Sequence, residues 1–218
     1  MPLLILASQS PRRRQLLATT GLPFQVEVSA IPEDVLPSES PADYVQRLAL
    51  AKAQAIQARQ NQPAYILAAD TIVTQAGQIL GKPTDVAHAT TMLQALQGQA
   101  HTVLTAFALL SPTAQQWLDL KIDTVNIRPL TNSEIAAYIA SGDPFDKAGG
   151  YAIQNRTWQL VPTFSGCFTS VMGLPLCRIS HALTQAGLLA QNHQLAVSNA
   201  PDNASSAPYS DVTCYCSE

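Results

Sequence analysis

The sequence predicts an α/β fold, because segments with the pattern of buried strands alternate with segments of helical periodicity. The 218 residues are 47% apolar, which is enough to bury a full core as one domain or as two lobes sharing a sheet. A net charge of −3 provides no basic surface for a stable nucleic-acid partner. No apolar run reaches the length of a membrane span, so we expect a cytoplasmic protein with no membrane partner.

The first segment carries the most information about function. Apolar residues 3–7 predict a short buried strand, and Ser10 followed by Pro11 predicts a helix N-terminus directly after it. The helix would begin with Arg12–Arg14, although cations at this end are unfavourable by up to about 1 kcal/mol. A bound anion would remove that penalty, with Ser8 as a further donor. The pattern indicates a phosphate site, and it fits a solvated basic turn equally well.

Capping signals predict three further helices. Ser40–Asp43 opens an Ala- and Gln-rich helix that carries Lys52 and extends to about residue 60. Thr131–Glu134 caps a helix that ends near Gly142, and a last helix occupies about residues 174–187.

The remaining segments predict strands, one more helix and a tail. We expect a buried strand at residues 65–69, a hairpin with strands at 72–73 and 79–80, a helix at 84–98 and a strand pair at 103–110 and 117–127. From about Asn192 no apolar periodicity remains. We therefore predict one domain at residues 1–191 and a disordered tail at residues 192–218.

Several polar residues follow the predicted strands. Asp70 and Thr71 come after the strand at 65–69, where a carboxylate can hold a divalent metal or accept a proton from water. The alternative is an aspartate that bonds to its own turn. Lys82, between a glycine and a proline, is either a phosphate contact or a solvated charge.

Two loops add candidate side chains. The loop at residues 143–151 contains glycines that permit close backbone approach to a ligand, together with two acids and a lysine. Glu33 and Asp34 lie in a loop bounded by prolines, where acid pairs are commonly just solvated. The four histidines lack the spacing of metal ligands.

Taken together, these segments resemble the Maf family of nucleoside triphosphate pyrophosphatases, first associated with septum formation. The resemblance extends over about residues 2–190 and rests on several motifs in the same order. These motifs are LILASQSPRRRQLL, the Glu33 loop, Lys52 in its helix, LAADTIV, GKP, DPFDKAGGYAIQ and VMGLPL. The fold implied by the resemblance has an elongated twisted mixed sheet with flanking helices and two lobes around a central cleft, similar to inosine triphosphate pyrophosphatases.

The resemblance also implies roles for individual residues. The phosphate-binding positions of the family match Ser8, Ser10, Arg12, Arg13, Lys52 and Lys82. Its acidic positions match Glu33 and Asp70, which are expected to bind Mg²⁺ or Mn²⁺, with Asp70 as the base that activates water.

Within the family, this chain resembles the branch that hydrolyses dTTP and UTP to the monophosphate and pyrophosphate. Base specificity is assigned by resemblance to Arg13, Thr71 and Gln154. The loop at residues 143–154, which we call the late loop, adds Asp146 and Lys147 as candidates. The implied ligands are nucleoside triphosphates, including modified pyrimidine nucleotides, and the resemblance allows a homodimer.

One segment departs from the family pattern, and two other functions stay open. Residues 155–159 replace the family's glycine and small residues, which places Arg156 and Trp158 beside the base pocket and leaves base preference open. The alternative functions are a nucleotide-binding regulator of cell division without enzymatic activity and a pyrophosphatase for other non-standard nucleotides.

Overall fold

The computed structural model describes residues 2–155 and 157–190. Its strands are β1 (Leu3–Ala7), β2 (Gln25–Glu27), β3 (Ala64–Gln75), β4 (Gln78–Leu80), β5 (Ala100–Leu110), β6 (Gln116–Asn126) and β7 (Thr163–Ser165). Its α-helices are α1 (Pro11–Ala18), α2 (Pro41–Gln57), α3 (Val86–Leu96), α4 (Asn132–Ala140), α5 (Phe168–Val171) and α6 (Leu176–Gln185). None of these helices has the length and apolar run that a membrane crossing requires. The predicted tail at residues 192–218 lies outside the described residues.

The described strands form one mixed sheet in the order β2-β1-β3-β5-β6-β7, with β4 paired to β3. β1 runs parallel to both β2 and β3. The pairs from β3 through β5 and β6 to β7, and the pair of β3 with β4, are antiparallel. The predicted mixed α/β fold is confirmed.

Strand β3 is longer than the sequence predicts. Its twelve residues run without a break, so the prediction that a strand ends at Ala69 before Asp70 is wrong. β5 pairs with β3 over nine consecutive residue pairs, which keeps Asp70 and Thr71 inside the ladder, opposite Ala106 and Thr105. An uninterrupted partner strand therefore overrides the local turn signal of the aspartate.

The other edge of β3 is interrupted. β1 pairs with β3 only as far as Leu67, and β4 pairs with β3 from Val73 onward. Because β5 occupies the opposite edge, residues 68–72 have no strand beside them on this edge. We call residues 68–72 the edge gap. It places Asp70 and Thr71 at an opening beyond the carboxyl end of β1, where parallel strands usually present ligand-binding residues.

Three apolar clusters hold the sheet and its helices together. One lies between α2 and one face of the sheet and includes Ile56, and the second packs α1 and α6 on the opposite face and includes Leu17. The third joins the far ends of the long strands to α3 and α4, with Leu93 and Tyr138 fully buried. Each fully buried side chain of this size stabilises the fold by roughly 1.5–3 kcal/mol. Within the edge gap, Ala68 and Ile72 belong to the first cluster and Ala69 to the second, while the adjacent Val73 belongs to the third.

The predicted helix starts are confirmed in three cases. Ser10, Ser40 and Thr131 cap α1, α2 and α4, with each side-chain oxygen accepting a hydrogen bond from the backbone N–H three residues later. For α3, the cap is Asp85 rather than Thr84, because the Asp85 carboxylate accepts the hydrogen bond from the third N–H of the helix.

A buried histidine joins β5 to the late loop. His101 is only 3% exposed, and its Nε2 lies 2.6 Å from the Tyr151 Oη. The two rings meet edge to face with centroids 5.2 Å apart. Burial lowers the pKa of His101 from 6.5 to about 4, because the charged imidazolium loses its hydration.

This burial predicts a pH dependence of stability. Below its ordinary pKa of 6.5, His101 takes up a proton in the unfolded chain but not in the folded protein, so the free energy of unfolding falls as the pH drops toward 4. Between about pH 7.5 and about pH 5, this effect alone removes about 2 kcal/mol. Urea unfolding should show a weaker pH dependence for His101→Gln, whereas His181→Gln, at an exposed position, should keep the wild-type dependence. Equal pH dependence in the wild type and His101→Gln would contradict this account.

Candidate active site

A cavity of about 520 Å³ opens at the edge gap. We call it the cleft. Its walls are the turn after β1 and the start of α1, the segment after β4, the part of the late loop around residues 146–154, and residues 171–173. This volume lies within the range of small-molecule sites. All of the predicted site residues line the cleft. They are Ser8, Ser10, Arg12, Arg13, Glu33, Lys52, Asp70, Thr71, Lys82, Asp146, Lys147 and Gln154.

The turn between β1 and α1 presents its polar groups in a fixed order. The Ser8 N–H donates to the Leu6 carbonyl at 3.0 Å, and the buried Ser8 Oγ accepts from the Ser10 N–H at 3.1 Å. Ser10 then caps α1, with its Oγ accepting from the Arg13 N–H at 3.4 Å. The positive end of α1 therefore faces the cleft, which suits it to bind an anion.

Lys52 joins the two predicted acids. Its Nζ lies 2.6 Å from Asp70 Oδ1 and 2.7 Å from Glu33 Oε1. Lys52 and Asp70 are buried, whereas the Glu33 side chain is 56% exposed at the cleft. Burial raises the pKa of the Asp70 carboxyl, although the charges of Lys52 and Arg13 oppose the rise. A carboxylate with a raised pKa is a better proton acceptor.

The loop that carries Glu33 is held by α2. The Tyr44 hydroxyl donates to the Glu33 carbonyl at 2.7 Å, and the Arg47 Nη2 donates to the Asp34 carbonyl at 2.9 Å. Arg47 also pairs with both carboxylate oxygens of Glu39, and these hydrogen bonds lower the Glu39 pKa to about 2. Glu33 is therefore held through its backbone, while its side chain pairs with Lys52 at the cleft.

Arg13 connects α1 to the wall of the cleft. Its Nε donates to the Gly173 carbonyl at 2.8 Å, and its Nη2 donates to Thr71 Oγ1 at 3.1 Å. Burial lowers the Arg13 pKa, but a guanidinium remains charged in proteins. Thr105, fully buried on β5, donates its hydroxyl to the Ser170 carbonyl at 2.9 Å, and its Oγ1 also lies 3.1 Å from Thr71 Oγ1. This network fixes Thr71 beside Asp70.

Arg12 lies at the mouth of the cleft and contacts the late loop. Its Nη1 donates to Asp146 Oδ2 at 2.9 Å, and the other oxygen of Asp146 accepts from the Lys147 Nζ. Lys147 is 8% exposed, whereas the Asp146 side chain is 59% exposed. Of the two predicted candidates, Asp146 therefore contacts α1 directly, and Lys147 is connected to α1 through Asp146.

The late loop is also tied to the segment after β4. The Gly149 N–H donates to the Gly81 carbonyl at 3.1 Å, and Gly149 has a φ of 72°. A Cβ at Gly149 would lie 3.0 Å from Val73, so this close approach requires glycine. The contact brings Lys82, which is exposed, and half-buried Gln154 to the same cavity.

Trp158 does not lie beside the cleft, so that prediction is wrong. Its ring packs edge to face on the buried Tyr138, with centroids 5.5 Å apart, and belongs to the third apolar cluster. A large aromatic ring gains more from burial in this core than at an open pocket wall. Arg156 lies outside the described residues.

Several residues that support the site were not predicted from the sequence. Tyr151 and Thr105 support the cleft, and Gly173 supplies a carbonyl to Arg13. Thr105 gives a weak signal, since it is a hydroxyl residue inside an otherwise apolar strand. The part played by Gly173 depends on long-range packing, which no local pattern records.

The acids of the site are suited to bind a divalent cation together with substrate phosphates. Among the described residues, no cluster of three or more His, Cys, Asp or Glu side chains could hold a metal. Glu33 and Asp70 nevertheless converge on the same cation, the ammonium of Lys52. Mg²⁺ is commonly held by one or two carboxylates together with substrate phosphates and water, so this pair of acids fits such an ion.

The shared hydroxyl of Thr71 gives a test of this wall. Thr71→Val keeps the side-chain shape but removes the hydroxyl that accepts from Arg13 and contacts Thr105, so the free energy of unfolding should fall by about 1–3 kcal/mol in urea titrations. Thr124→Val, at an exposed strand position, is the matched control and should change it by less than about 0.5 kcal/mol. A Thr71→Val variant as stable as the wild type would show that Arg13 does not depend on this hydroxyl.

Comparisons with known proteins identify the family of this chain. A family model described as Maf-like protein matches residues 3–186. A protein of Geobacter sulfurreducens named dTTP/UTP pyrophosphatase is 45% identical over 187 residues, which cover 85% of this chain and 97% of that protein. An Escherichia coli protein with the same name is 46% identical over 190 residues, covering 87% and 95%. The structure of a HAM1 protein from Coxiella burnetii aligns with a TM-score of 0.45 and 17% identity, covering 85% and 100%. Since the family model spans nearly all of the described residues, the chain belongs to the Maf family.

Proposed function

We propose that this chain is a nucleoside triphosphate pyrophosphatase that hydrolyses dTTP and UTP to the monophosphate and pyrophosphate. One observation carries the proposal: Lys52 holds Glu33 and Asp70 together at the edge gap, in a cleft that the positive end of α1 faces. Membership of the family and the names of its relatives support the same reaction. The cleft combines anion-binding groups with paired acids, which is the combination that phosphoanhydride hydrolysis requires.

Asp70 is the general base of the proposed mechanism. It accepts the proton of a water molecule that attacks the α-phosphorus, and the bond from the α-phosphorus to the bridging oxygen then breaks to release pyrophosphate. The raised pKa of the Asp70 carboxyl favours this proton transfer. No covalent intermediate with the protein is required.

Cationic side chains neutralise the phosphates. Arg12 and Lys82 both line the cleft, with Lys52 between the acids and Ser8 and Ser10 at the turn before α1. Preorganised charges of this kind stabilise the charge that builds up on the transferring phosphoryl group and its leaving group. Arg12 reaches the phosphates from its position beside Asp146.

Mg²⁺ or Mn²⁺ is the proposed cofactor, with Glu33 and Asp70 as its protein ligands. When bound with the triphosphate, such an ion neutralises phosphate charge and makes water more acidic. The Lys52 ammonium already contacts both acids, so these residues are held together before the ion and substrate arrive.

We assign base selection to Arg13, Thr71 and Gln154. Arg13 and Thr71 form one hydrogen-bonded wall, and Gln154 offers an amide from the late loop. Polar groups matched to a pyrimidine edge reject a wrong base more strongly than a pocket can reject a missing methyl group. Such a site accepts both thymine and uracil, and we extend the proposal to modified pyrimidine nucleotides.

The proposed setting is the cytoplasm, where free nucleoside triphosphates are the partners. We retain a homodimer as the proposed assembly and no stable nucleic-acid partner, in keeping with the net charge of −3. A regulator that only binds nucleotides would need the cations but not the buried base Asp70.

The reaction products test the proposal. With Mg²⁺ or Mn²⁺, we expect dTTP and UTP to give the monophosphate and pyrophosphate, and purine triphosphates to react more slowly. Anion-exchange chromatography separates these products from the diphosphate and orthophosphate that cleavage of the outer bond would give. Orthophosphate as the primary product contradicts the reaction class, whereas a purine preference contradicts only the assignment of the base pocket.

Asp70→Asn tests the general base. Loss of the carboxylate should lower kcat by about 100-fold or more, because the water molecule then lacks its proton acceptor. Asp119→Asn makes the same chemical change on β6 outside the cleft and should leave kcat unchanged. A folded Asp70→Asn protein with near-normal kcat would remove Asp70 from this role.

A further inference from the structure

Asp143 is the most highly connected acid of the late loop. Its Oδ2 accepts hydrogen bonds from the Tyr138 hydroxyl at 2.7 Å and from the Asn155 amide at 3.0 Å. Its Oδ1 accepts from the Lys147 Nζ at 3.0 Å. One carboxylate therefore joins α4, the far end of the loop and the lysine that lines the cleft.

These contacts continue to the mouth of the cleft. The Lys147 Nζ also donates to the Asp143 carbonyl at 2.6 Å and to Asp146 Oδ1. The second oxygen of Asp146 accepts from Arg12 at 2.9 Å. Asp143, Lys147, Asp146 and Arg12 thus form an alternating series of acids and bases, which we call the charge chain.

The inner end of the charge chain is firmly anchored. Tyr138 is completely buried and packs edge to face against Trp158. Burial raises the pKa of Tyr138, so its hydroxyl remains a hydrogen-bond donor. Burial works against ionisation of Asp143, but the hydrogen bonds from Tyr138, Lys147 and Asn155 outweigh it and lower the pKa of this carboxyl. Asp143 therefore stays charged at neutral pH.

We propose that Asp143 is a positioning residue, whose carboxylate holds Lys147 against the cleft wall and, through Asp146, sets the position of Arg12 for the triphosphate. This inference rests on the proposed function. Asp143 lies one step behind Lys147 and is not among the residues that line the cleft, so it acts through its neighbours.

An amide cannot replace this carboxylate. The Nδ2 of an asparagine donates hydrogen bonds, so it would meet two donors, Tyr138 and Asn155, or else the Lys147 ammonium. Lys147 would lose this negative charge and keep the Asp146 carboxylate and the Asp143 carbonyl as its acceptors. Asp146 would then hold Lys147 more closely and Arg12 less closely, which disorganises the phosphate-binding side of the cleft.

The experiment combines ligand binding with kinetics. The probe is the α,β-imido analogue of dUTP, which resists cleavage at the bond in question, and its Kd is measured by calorimetry beside KM and kcat for dTTP. For Asp143→Asn, we expect Kd and KM to rise about tenfold and kcat to stay within about twofold, because ground-state binding of phosphates is lost. Asp143→Glu keeps the charge and should restore Kd to within about threefold of the wild type.

Three further variants separate positioning from general stability. Glu134→Gln removes the carboxylate of an ion pair with Arg128 outside the cleft and should leave Kd and KM unchanged. In a Lys147→Met background, Asp143→Asn should raise Kd by less than about twofold further, because both changes disrupt the same chain. Tyr138→Phe removes one hydrogen bond to the Asp143 carboxylate and replaces Asp143→Asn if that variant does not fold. We expect Tyr138→Phe to raise Kd about threefold.

The outcomes divide clearly. A wild-type Kd for Asp143→Asn, or for Tyr138→Phe if it replaces Asp143→Asn, overturns the positioning role. Independent, multiplying effects of Asp143→Asn and Lys147→Met overturn it as well. A wild-type protein that neither binds the analogue nor hydrolyses dTTP indicates instead that the proposed function is wrong.

Discussion

The pairing of β3 with β5 is the constraint on which the rest of the site depends. It runs unbroken through Asp70 and Thr71, whereas the opposite edge of β3 is divided between β1 and β4. One side of the strand therefore supplies rigidity while the other supplies an opening. Fixing the backbone of each residue costs about 1–2 kcal/mol in entropy, and here the ladder hydrogen bonds to β5 help to offset that cost.

Charge pairing explains why polar groups tolerate burial around this opening. Lys52 satisfies Glu33 and Asp70, Arg13 is bonded to Thr71 and Gly173, and each of these contacts replaces hydration lost on folding. A buried ion pair adds little net stability, but removal of one partner leaves an uncompensated charge. The site is therefore organised before a ligand binds, with its charges compensated from within the protein.

Local sequence signals predicted three helix starts, whereas the residues that line the cleft were predicted by resemblance to the Maf family. Ser10, Ser40 and Thr131 act within a few residues of their own position, which is why their pattern is legible. The continuity of β3 through Asp70 was not predicted, because it depends on β5, about thirty-five residues further along the chain. The packing of Trp158 on Tyr138 also depends on residues distant in the sequence, so it was not predicted. Comparison with the family motif instead placed residues 155–159 near the base.

The edge gap also bears on whether a strand of another chain can add to the middle of this sheet. Unpaired strand edges invite strands of other chains to add to a sheet, which leads to aggregation. Here the opening is only residues 68–72 long, and β1 and β4 bound it along the same edge. A strand of ordinary length from another molecule would collide with one of them before it could form a ladder. The interruption thus gives a nucleotide access to the middle of a sheet while it denies that access to a second polypeptide.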